Sequence, residues 1–207
     1  TTGTLFGGAV YVYGYDALGD SWDEEQVLYS PENPAIYMFG NSDPGGVALT
    51  CDHVAVSESI NRKVYIFNTT NYSIEAELSE PGTSFYYGKS IDLFGDKLVV
   101  SDPYHDTGRG GQGVVYYYHR VGANNWQLVA TFAPPDNLGF IEFGANVHIS
   151  DGNRLFIVAP QVDAVYYVDL DDYPVPVTLP LLTPLGYAAL SVMLMAIGLG
   201  TLRSKRK

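Results

Sequence analysis

Acidic side chains and histidines in loops are the first candidates for chemistry. The segment DPYHD at 102–106 places two aspartates and a histidine within five residues, ahead of a glycine-rich stretch that ends at Gly113. A calcium-binding loop of the DxDxDG kind needs oxygen side chains at alternate positions followed by a glycine. Neither this segment nor NSD at 41–43 has that spacing. Both are therefore interpreted as ordinary polar turns without calcium.

Hydrolytic chemistry has weak support in the sequence. Glu142, Asp151 and Asp163 could supply the carboxylate pair of a glycosidase, which needs two acids about 5 to 10 Å apart. Ser57 and Ser101 lack the G-x-S-x-G turn that exposes a catalytic serine. Because acids are frequent in turns, the sequence predicts no catalytic residue.

The remaining reactive residues are isolated from one another. The stretch GRGGQG at 108–113 opens a strand and lacks the Lys-Ser/Thr ending of a phosphate-binding loop. Cys51 is the only cysteine, so no disulfide can form within the chain. No histidine pair has zinc-ligand spacing, and we predict no metal site among His53, His105, His119 and His148.

The tyrosines, 17 among 207 residues, have two interpretations. Clusters such as YVYGY, YYY and YYV fall in apolar strands, where alternate side chains would pack in the core. Alternatively, some form a rim that contacts a sugar or a protein, since tyrosine rings give contact area at low entropic cost. The sequence leaves both interpretations open.

A repeat of about 50 residues positions these side chains. A short aromatic strand recurs as AVYVY, KVYIF, VVYYY and AVYYV, and the second residues of these strings are 54, 51 and 50 positions apart. Another strand precedes the last three, as HVAVSES, KLVVSDP and RLFIVAP. Val, Ile, Tyr and Phe dominate the strands, and Gly, Asp, Asn and Pro turns separate them, which indicates β-structure throughout.

Each full unit opens on an aromatic–glycine pair, and two units carry a tryptophan after the aromatic strand. Four short strands in a unit of 40 to 50 residues are typical of a β-propeller blade. The sequence therefore predicts an all-β fold, a partial β-propeller of four-stranded blades. The repeat-defining residues are Phe39, Gly40, Tyr87, Gly88, Phe143, Gly144, Trp22 and Trp126.

The order of these motifs (FGxxV, GDxLVVxxP, GxVYVY, then Trp) resembles the FG-GAP repeat, the blade unit of integrin-α-type propellers and of many bacterial surface proteins. The similarity extends from residue 7 to about residue 170. In that family many blades hold Ca²⁺ in Asp-rich loops. The loops of this sequence lack that motif, so no cofactor is predicted for these blades, and Ca²⁺ stays an open question only for blades upstream. The matching residues are Tyr87-Gly88, Gly95 to Val100, Asp102-Pro103, Gly113 to Tyr116 and Trp126, then Phe143-Gly144, Leu155, Val158 to Pro160 and Val165-Tyr166.

The repeat also predicts where each segment begins and ends. The first unit lacks its opening two strands and the last lacks its fourth, so we expect further blades upstream and an open arc of blades in this chain. The predicted segments are a half blade at 1–38, blades at 39–86 and 87–142, a partial blade at 143–173, a proline-rich linker at 174–184, an apolar helix at 185–202 and a basic tail at 203–207.

Charge is distributed unevenly along the chain. The chain has 23 acidic and 11 basic residues, and four of the basic residues follow Leu202, so the body carries 23 acids against seven bases. Binding to nucleic acid needs a basic face. The composition therefore excludes nucleic acid as a partner.

The last 34 residues predict a membrane anchor. The uncharged run at 185–202 would form a helix of about 27 Å, close to the hydrocarbon thickness of a bilayer. By the positive-inside rule the basic end stays in the cytoplasm and the propeller lies outside. The basic end consists of Arg203, Lys205, Arg206 and Lys207.

The order of proline motif, apolar helix and basic end resembles the PEP-CTERM-like sorting signals of bacteria. Residues 175–180 fit a VPxxxP form and lie close to the IPTL form, with one residue inserted. The resemblance implies export to the bacterial cell envelope and processing by an exosortase-type transpeptidase; a plain tail anchor is the alternative. The motif residues are Val175, Pro176, Thr178, Leu179 and Pro180.

Together these features predict a non-enzymatic surface protein whose propeller binds a protein or glycan ligand, as in adhesion. Two alternatives remain at this stage. One is an exported hydrolase or other enzyme whose catalytic part lies upstream. The other is a purely structural envelope protein.

Overall fold

The computed structural model describes residues 8–32, 39–40, 45–84, 86–106, 110–135 and 139–174. Within these residues the chain forms four small antiparallel sheets and three short 3-10 helices, and no α-helix. The predicted all-β class is confirmed. The chain divides into two compact units, residues 1–175 and 176–207, and the described residues belong to the first.

The four sheets follow one another along the chain, and each is built from strands in sequence order. The first sheet contains β1 (Ala9–Asp16) and β2 (Ser21–Tyr29). The second contains β3 (Val47–Leu49), β4 (His53–Glu58), β5 (Lys63–Asn68) and β6 (Ile74–Ser79). The third contains β7 (Ile91–Phe94), β8 (Lys97–Asp102), β9 (Val114–Gly122) and β10 (Asn125–Phe132). The fourth contains β11 (Asn146–Ser150), β12 (Arg154–Ala159) and β13 (Ala164–Asp169). The 3-10 helices span Ser59–Asn61, Pro160–Val162 and Leu170–Asp172.

The aromatic strands of the two inner sheets, β5 and β9, each pack against both neighbouring sheets. In β5, Tyr65 and Phe67 contact the first sheet, whereas Val64 and Ile66 belong to the apolar cluster shared with the third sheet. Alternate side chains of a strand point to opposite faces, so one strand contributes to two cores. A third apolar cluster joins the third and fourth sheets. Burying each such side chain contributes about 1.5–3 kcal/mol.

The two outermost faces lack this cover among the described residues. Tyr11, at the position in β1 that Tyr65 holds in β5, is 56% exposed, while Tyr65 is fully buried. At the other end Tyr167 in β13 is 73% exposed, while Ile66 at the same position in β5 is fully buried. The outer faces of the first and fourth sheets are therefore apolar surfaces exposed to solvent.

Each aromatic–glycine pair joins two sheets. Gly88 donates its amide hydrogen to the Ser101 carbonyl of its own sheet at 2.9 Å. A β-carbon on Gly88 would lie 2.9 Å from the Ser57 Cβ of the preceding sheet, and its φ of +85° also favours glycine. Tyr87 is fully buried and donates its hydroxyl to the Tyr118 hydroxyl at 2.9 Å. The other two pairs repeat the amide bond, from Gly40 to Ser57 O at 2.9 Å and from Gly144 to Val158 O at 3.0 Å.

The first strands of the last three sheets lie next to one another. Gly45 and Ser90 form a parallel bridge, and the Ile91 amide donates to the Gly45 carbonyl at 3.0 Å. Between the next pair of sheets, the Ile149 amide donates to Asp92 Oδ2 at 2.7 Å. The chain thus places β3, β7 and β11 side by side, in order.

The two tryptophans differ in their surroundings. Trp126 is buried in β10, where it contacts His53 of the second sheet edge-on at 5.7 Å between ring centroids. Trp22 lies on the exposed face of β2 beside Tyr15, with the ring centroids 5.3 Å apart. Trp126 therefore helps to join two sheets, whereas Trp22 contributes to the exposed outer face of the first.

The predicted sorting motif at 175–180, the predicted helix at 185–202 and the basic tail lie outside the described residues. Within the part of the chain that the structure describes, no helix has the length and apolar character needed to cross a membrane.

Candidate ligand-binding face

Two loops that meet at one edge of the third sheet carry the most distinctive group of side chains. The first is the segment after β6 and the second is the turn after β8. Ser84 joins them, because its hydroxyl donates to Asp102 Oδ1 at 2.8 Å while its amide donates to Glu80 Oε1 at 2.6 Å. In the turn, the His105 amide donates to the Asp102 carbonyl at 3.2 Å. These bonds fix both loops relative to the strand ends.

Three aromatic rings form a row on this edge, which we call the aromatic row: Tyr86, Tyr104 and Phe140. The ring centroids of Tyr86 and Tyr104 are 4.4 Å apart, and Tyr104 stacks on Phe140 at 5.8 Å with an interplanar angle of 18°. Tyr86 and Phe140 are each about half exposed. The row therefore exposes part of its two outer residues, Tyr86 and Phe140, to solvent.

A hydrogen bond from its hydroxyl group positions Tyr104, the central residue of the aromatic row. The Tyr104 hydroxyl donates to Glu142 Oε1 at 3.2 Å. Burial, and then the neighbouring Glu142 carboxylate, raise the pKa of Tyr104 above its ordinary value. The phenol therefore stays protonated at neutral pH and keeps this hydrogen bond.

A shallow cleft of about 170 Å³ borders the aromatic row. Apart from the rings, its lining consists of hydroxyl, imidazole and carboxylate groups, which offer both donors and acceptors. Enclosed small-molecule sites are usually about 300–1,000 Å³, so this cleft suits part of a larger ligand lying across the surface. It is lined by Thr83, Ser84, Tyr86, Tyr104, His105 and Asp106.

Beside the cleft lies a group that we call the carboxylate–histidine cluster: Glu80, Asp102 and His105. His105 Nδ1 is 3.7 Å from Glu80 Oε1 and 3.6 Å from Asp102 Oδ2. The two carboxylate side chains are buried, with Arg62 Nη1 3.7 Å from Glu80 Oε2. Burial raises the pKa of Asp102, and the nearby Glu80 charge adds to this effect, while the Ser84 hydrogen bond and His105 oppose it.

The other histidines have contacts that fit structural roles. His53 Nε2 lies 3.0 Å from Glu75 Oε2, and Glu75 Oε1 accepts a short hydrogen bond from Arg120 Nε across the second and third sheets. Burial opposes the charge on Glu75, but the bonds from Arg120 and His53 hold its pKa below the ordinary value. His148 Nδ1 lies 2.9 Å from Asp92 Oδ2, and His119 Nδ1 lies 2.8 Å from the Arg120 carbonyl.

The acids that could have formed a glycosidase pair are turn residues. Glu142, Asp151 and Asp163 all have left-handed backbone conformations, with φ of 55°, 55° and 52°. Asp151 and Asp163 flank opposite ends of β12, a six-residue strand about 20 Å long, so these two cannot share a bond to be cleaved. Ser57 and Ser101 are fully buried in strands, and the Ser101 hydroxyl accepts from the Ser90 amide at 2.9 Å.

The sequence singled out Asp102 and His105 in one loop but did not connect them with Glu80 or with the aromatic row. Glu80 is 22 positions before Asp102, and no local spacing connects them. Tyr86 and Phe140 stand one and three residues ahead of an aromatic–glycine pair. The sequence signal for the aromatic row was an extra aromatic residue shortly before the aromatic–glycine pair in two successive units. Because the repeat indicates that equivalent loops lie side by side, contact between these aromatic residues could have been predicted.

Comparison with models of known protein families gives no match for this chain. Comparison with curated proteins gives no significant match either.

Proposed function

We propose that the four sheets are consecutive blades of a β-propeller of the FG-GAP type. Three observations support this: the repeat of about 50 residues, the packing of one aromatic strand against both neighbouring sheets, and the side-by-side arrangement of β3, β7 and β11. Strands nearest a propeller axis are crowded together, while later strands diverge. The aromatic–glycine pairs then act as the joints between blades.

The exposed outer faces fit further blades of the same kind. Tyr11 and Tyr13 on the first sheet, and Val165 and Tyr167 on the fourth, occupy positions that are buried in the two inner sheets. A contiguous apolar face on a soluble domain usually marks a surface that another element covers. In this proposal additional blades supply that cover.

The function that the geometry supports best is non-enzymatic recognition of a glycan. The observation that carries it is the aromatic row, Tyr86, Tyr104 and Phe140, bordered by a cleft of polar groups. Exposed ring faces pack against the apolar C–H faces of sugars, and hydroxyl, imidazole and carboxylate groups hydrogen-bond to sugar hydroxyls. The body of the chain carries far more acids than bases, which disfavours acidic partners.

The proposed location is the bacterial cell envelope, with the propeller outside the cytoplasmic membrane. Its support is the sequence of the last 34 residues: a proline motif, an uncharged run at 185–202 that we propose as a membrane helix, and a basic end. In this proposal an exosortase-type transpeptidase processes the tail. Deleting residues 174–207 should move the protein from the envelope to the soluble fraction of a bacterial host; an unchanged envelope fraction would contradict the anchor.

Binding is tested by screening the labelled full chain, kept soluble in mild detergent, against glycan arrays and arrays of immobilised proteins. The proposal expects a defined group of glycans to bind in a saturable manner. Binding to immobilised proteins but to no glycan would contradict glycan recognition and would indicate that the chain recognises a protein. Binding to neither would favour a structural role.

A further inference from the structure

We propose that Glu80, Asp102 and His105 form a binding site for a divalent transition-metal ion of the zinc class. The site belongs to the third sheet and its incoming loop, so it does not depend on glycan binding by the aromatic row. It includes Asp102 and His105 of the segment at 102–106, which the sequence predicts to be a polar turn without a metal, and it adds Glu80 from the loop after β6.

The positions of the three ligand atoms carry the proposal. His105 Nδ1 lies 3.7 Å from a Glu80 carboxylate oxygen and 3.6 Å from an Asp102 oxygen, and the three ligand atoms all lie within 4.8 Å of one another. Zinc with bonds of about 2.0–2.1 Å in a tetrahedral arrangement places its ligands roughly 3.3 Å apart. A shift of a few tenths of an ångström in each side chain would therefore bring the three atoms to bonding distance.

Unsatisfied polar atoms supply an independent reason for a cation. Glu80 Oε2, Asp102 Oδ2 and His105 Nδ1 are buried without a hydrogen-bond partner among the described residues. The Glu80 and Asp102 side chains are only 2% and 0% exposed. Leaving a buried carboxylate oxygen without a partner costs several kcal/mol at most sites. Arg62, 3.7 Å from Glu80 Oε2, offsets one of the two negative charges.

Hydrogen bonds from Ser84 orient the two carboxylates, including Glu80 Oε1, the Glu80 oxygen that lies 3.7 Å from His105 Nδ1. Ser84 donates its hydroxyl to Asp102 Oδ1 and its amide to Glu80 Oε1. The backbone of His105 is fixed at both ends, because its amide donates to Asp102 O at 3.2 Å and its carbonyl accepts from the Gly113 amide at 3.1 Å. Such supporting hydrogen bonds orient the ligands of metal sites and strengthen binding.

The ligand set selects the kind of metal. Calcium takes six to eight oxygen ligands and magnesium keeps most of its waters, whereas one imidazole and two carboxylates suit zinc and its neighbours. Three protein ligands leave a fourth tetrahedral position. His105 also lines the cleft beside the aromatic row.

The test is a zinc titration of the metal-stripped full chain in mild detergent, in competition with a chromophoric chelator. A Cys51→Ser background removes the one exposed thiol as an alternative ligand. We expect one Zn²⁺ per chain, no displacement by millimolar Ca²⁺, and affinity at least about 100-fold lower in His105→Gln, which lacks a ligand. The matched control is His148→Gln, because His148 also pairs with an aspartate, Asp92, outside the cluster; this variant should bind zinc like the parent.

A second measurement does not require the variant to fold. Co²⁺ added to the parent chain should give the intense visible absorption of a tetrahedral site and should broaden the signals of one of the four histidines, His105, in nuclear magnetic resonance spectra. Absence of stoichiometric zinc binding would overturn the proposal. So would unchanged affinity in a folded His105→Gln variant, equal loss in the His148→Gln control, or cobalt broadening at another histidine.

Discussion

Tyr11 and Tyr65 hold the same position in successive aromatic strands, yet Tyr11 is 56% exposed and Tyr65 is fully buried. Tyr65 packs against the first sheet together with Phe39, whose ring centroid is 6.1 Å away. Tyr11 points from the opposite face of that first sheet, which no other described strand covers. The tyrosine at this position of the repeat is therefore buried only where another sheet precedes the sheet that carries it.

Truncating these two tyrosines should have unequal effects on stability. Tyr65→Ala removes a fully buried ring and should lower the free energy of unfolding by about 3–5 kcal/mol. Tyr11→Ala should lower it by less than about 1 kcal/mol, because its ring is largely in water in this chain. Denaturant unfolding followed by circular dichroism measures both. Equal losses would show that Tyr11 is covered by a neighbour in solution.

Replacing the glycine of the middle aromatic–glycine pair should weaken the joint between the second and third sheets. Gly88→Ala places a methyl group 2.9 Å from the Ser57 Cβ at a φ of +85°, and we expect a loss of about 2 kcal/mol or more. The control is Gly122→Ala, because an added β-carbon there meets nothing within 4 Å; its effect should stay below about 1 kcal/mol. Similar unfolding midpoints for the two variants would contradict the role of Gly88.

The sequence predicted the strands and the repeat but not the composition of the loop edge. Strands are encoded locally, since Val, Ile, Tyr and Phe recur between turn residues at a fixed spacing. The sequence shows that the glycine at position 88 recurs in each unit, but it does not show that Gly88 packs against Ser57. The cluster of Glu80, Asp102 and His105 depends on how the loop after β6 folds onto the turn after β8. The spacing of the repeat does not reveal contacts between two loops.

The buried ion pair of Glu75 should make stability depend on pH in a defined direction. Because the pKa of Glu75 is lowered in the folded chain, its contribution is complete above the unfolded value of about 4.3 and is lost as pH falls through the lowered folded value. Glu75→Gln should therefore cost about 3 kcal/mol at pH 7, and the difference from the parent should narrow towards pH 3. Urea unfolding across this range measures it, with exposed Glu24→Gln as the control. A difference that stays constant with pH would contradict the assignment.

Glycan binding by the aromatic row is tested most directly by comparing three forms of the full chain on one glycan array: the parent, a Tyr86→Ala/Phe140→Ala double variant and a Tyr167→Ala control. Each aromatic contact contributes about 0.5–1.5 kcal/mol, so the double variant should bind roughly 5- to 150-fold more weakly. Tyr167 is an exposed tyrosine of the fourth sheet outside the row, and its variant should bind like the parent. Unchanged binding by the double variant, or equal loss in the control, would contradict the account.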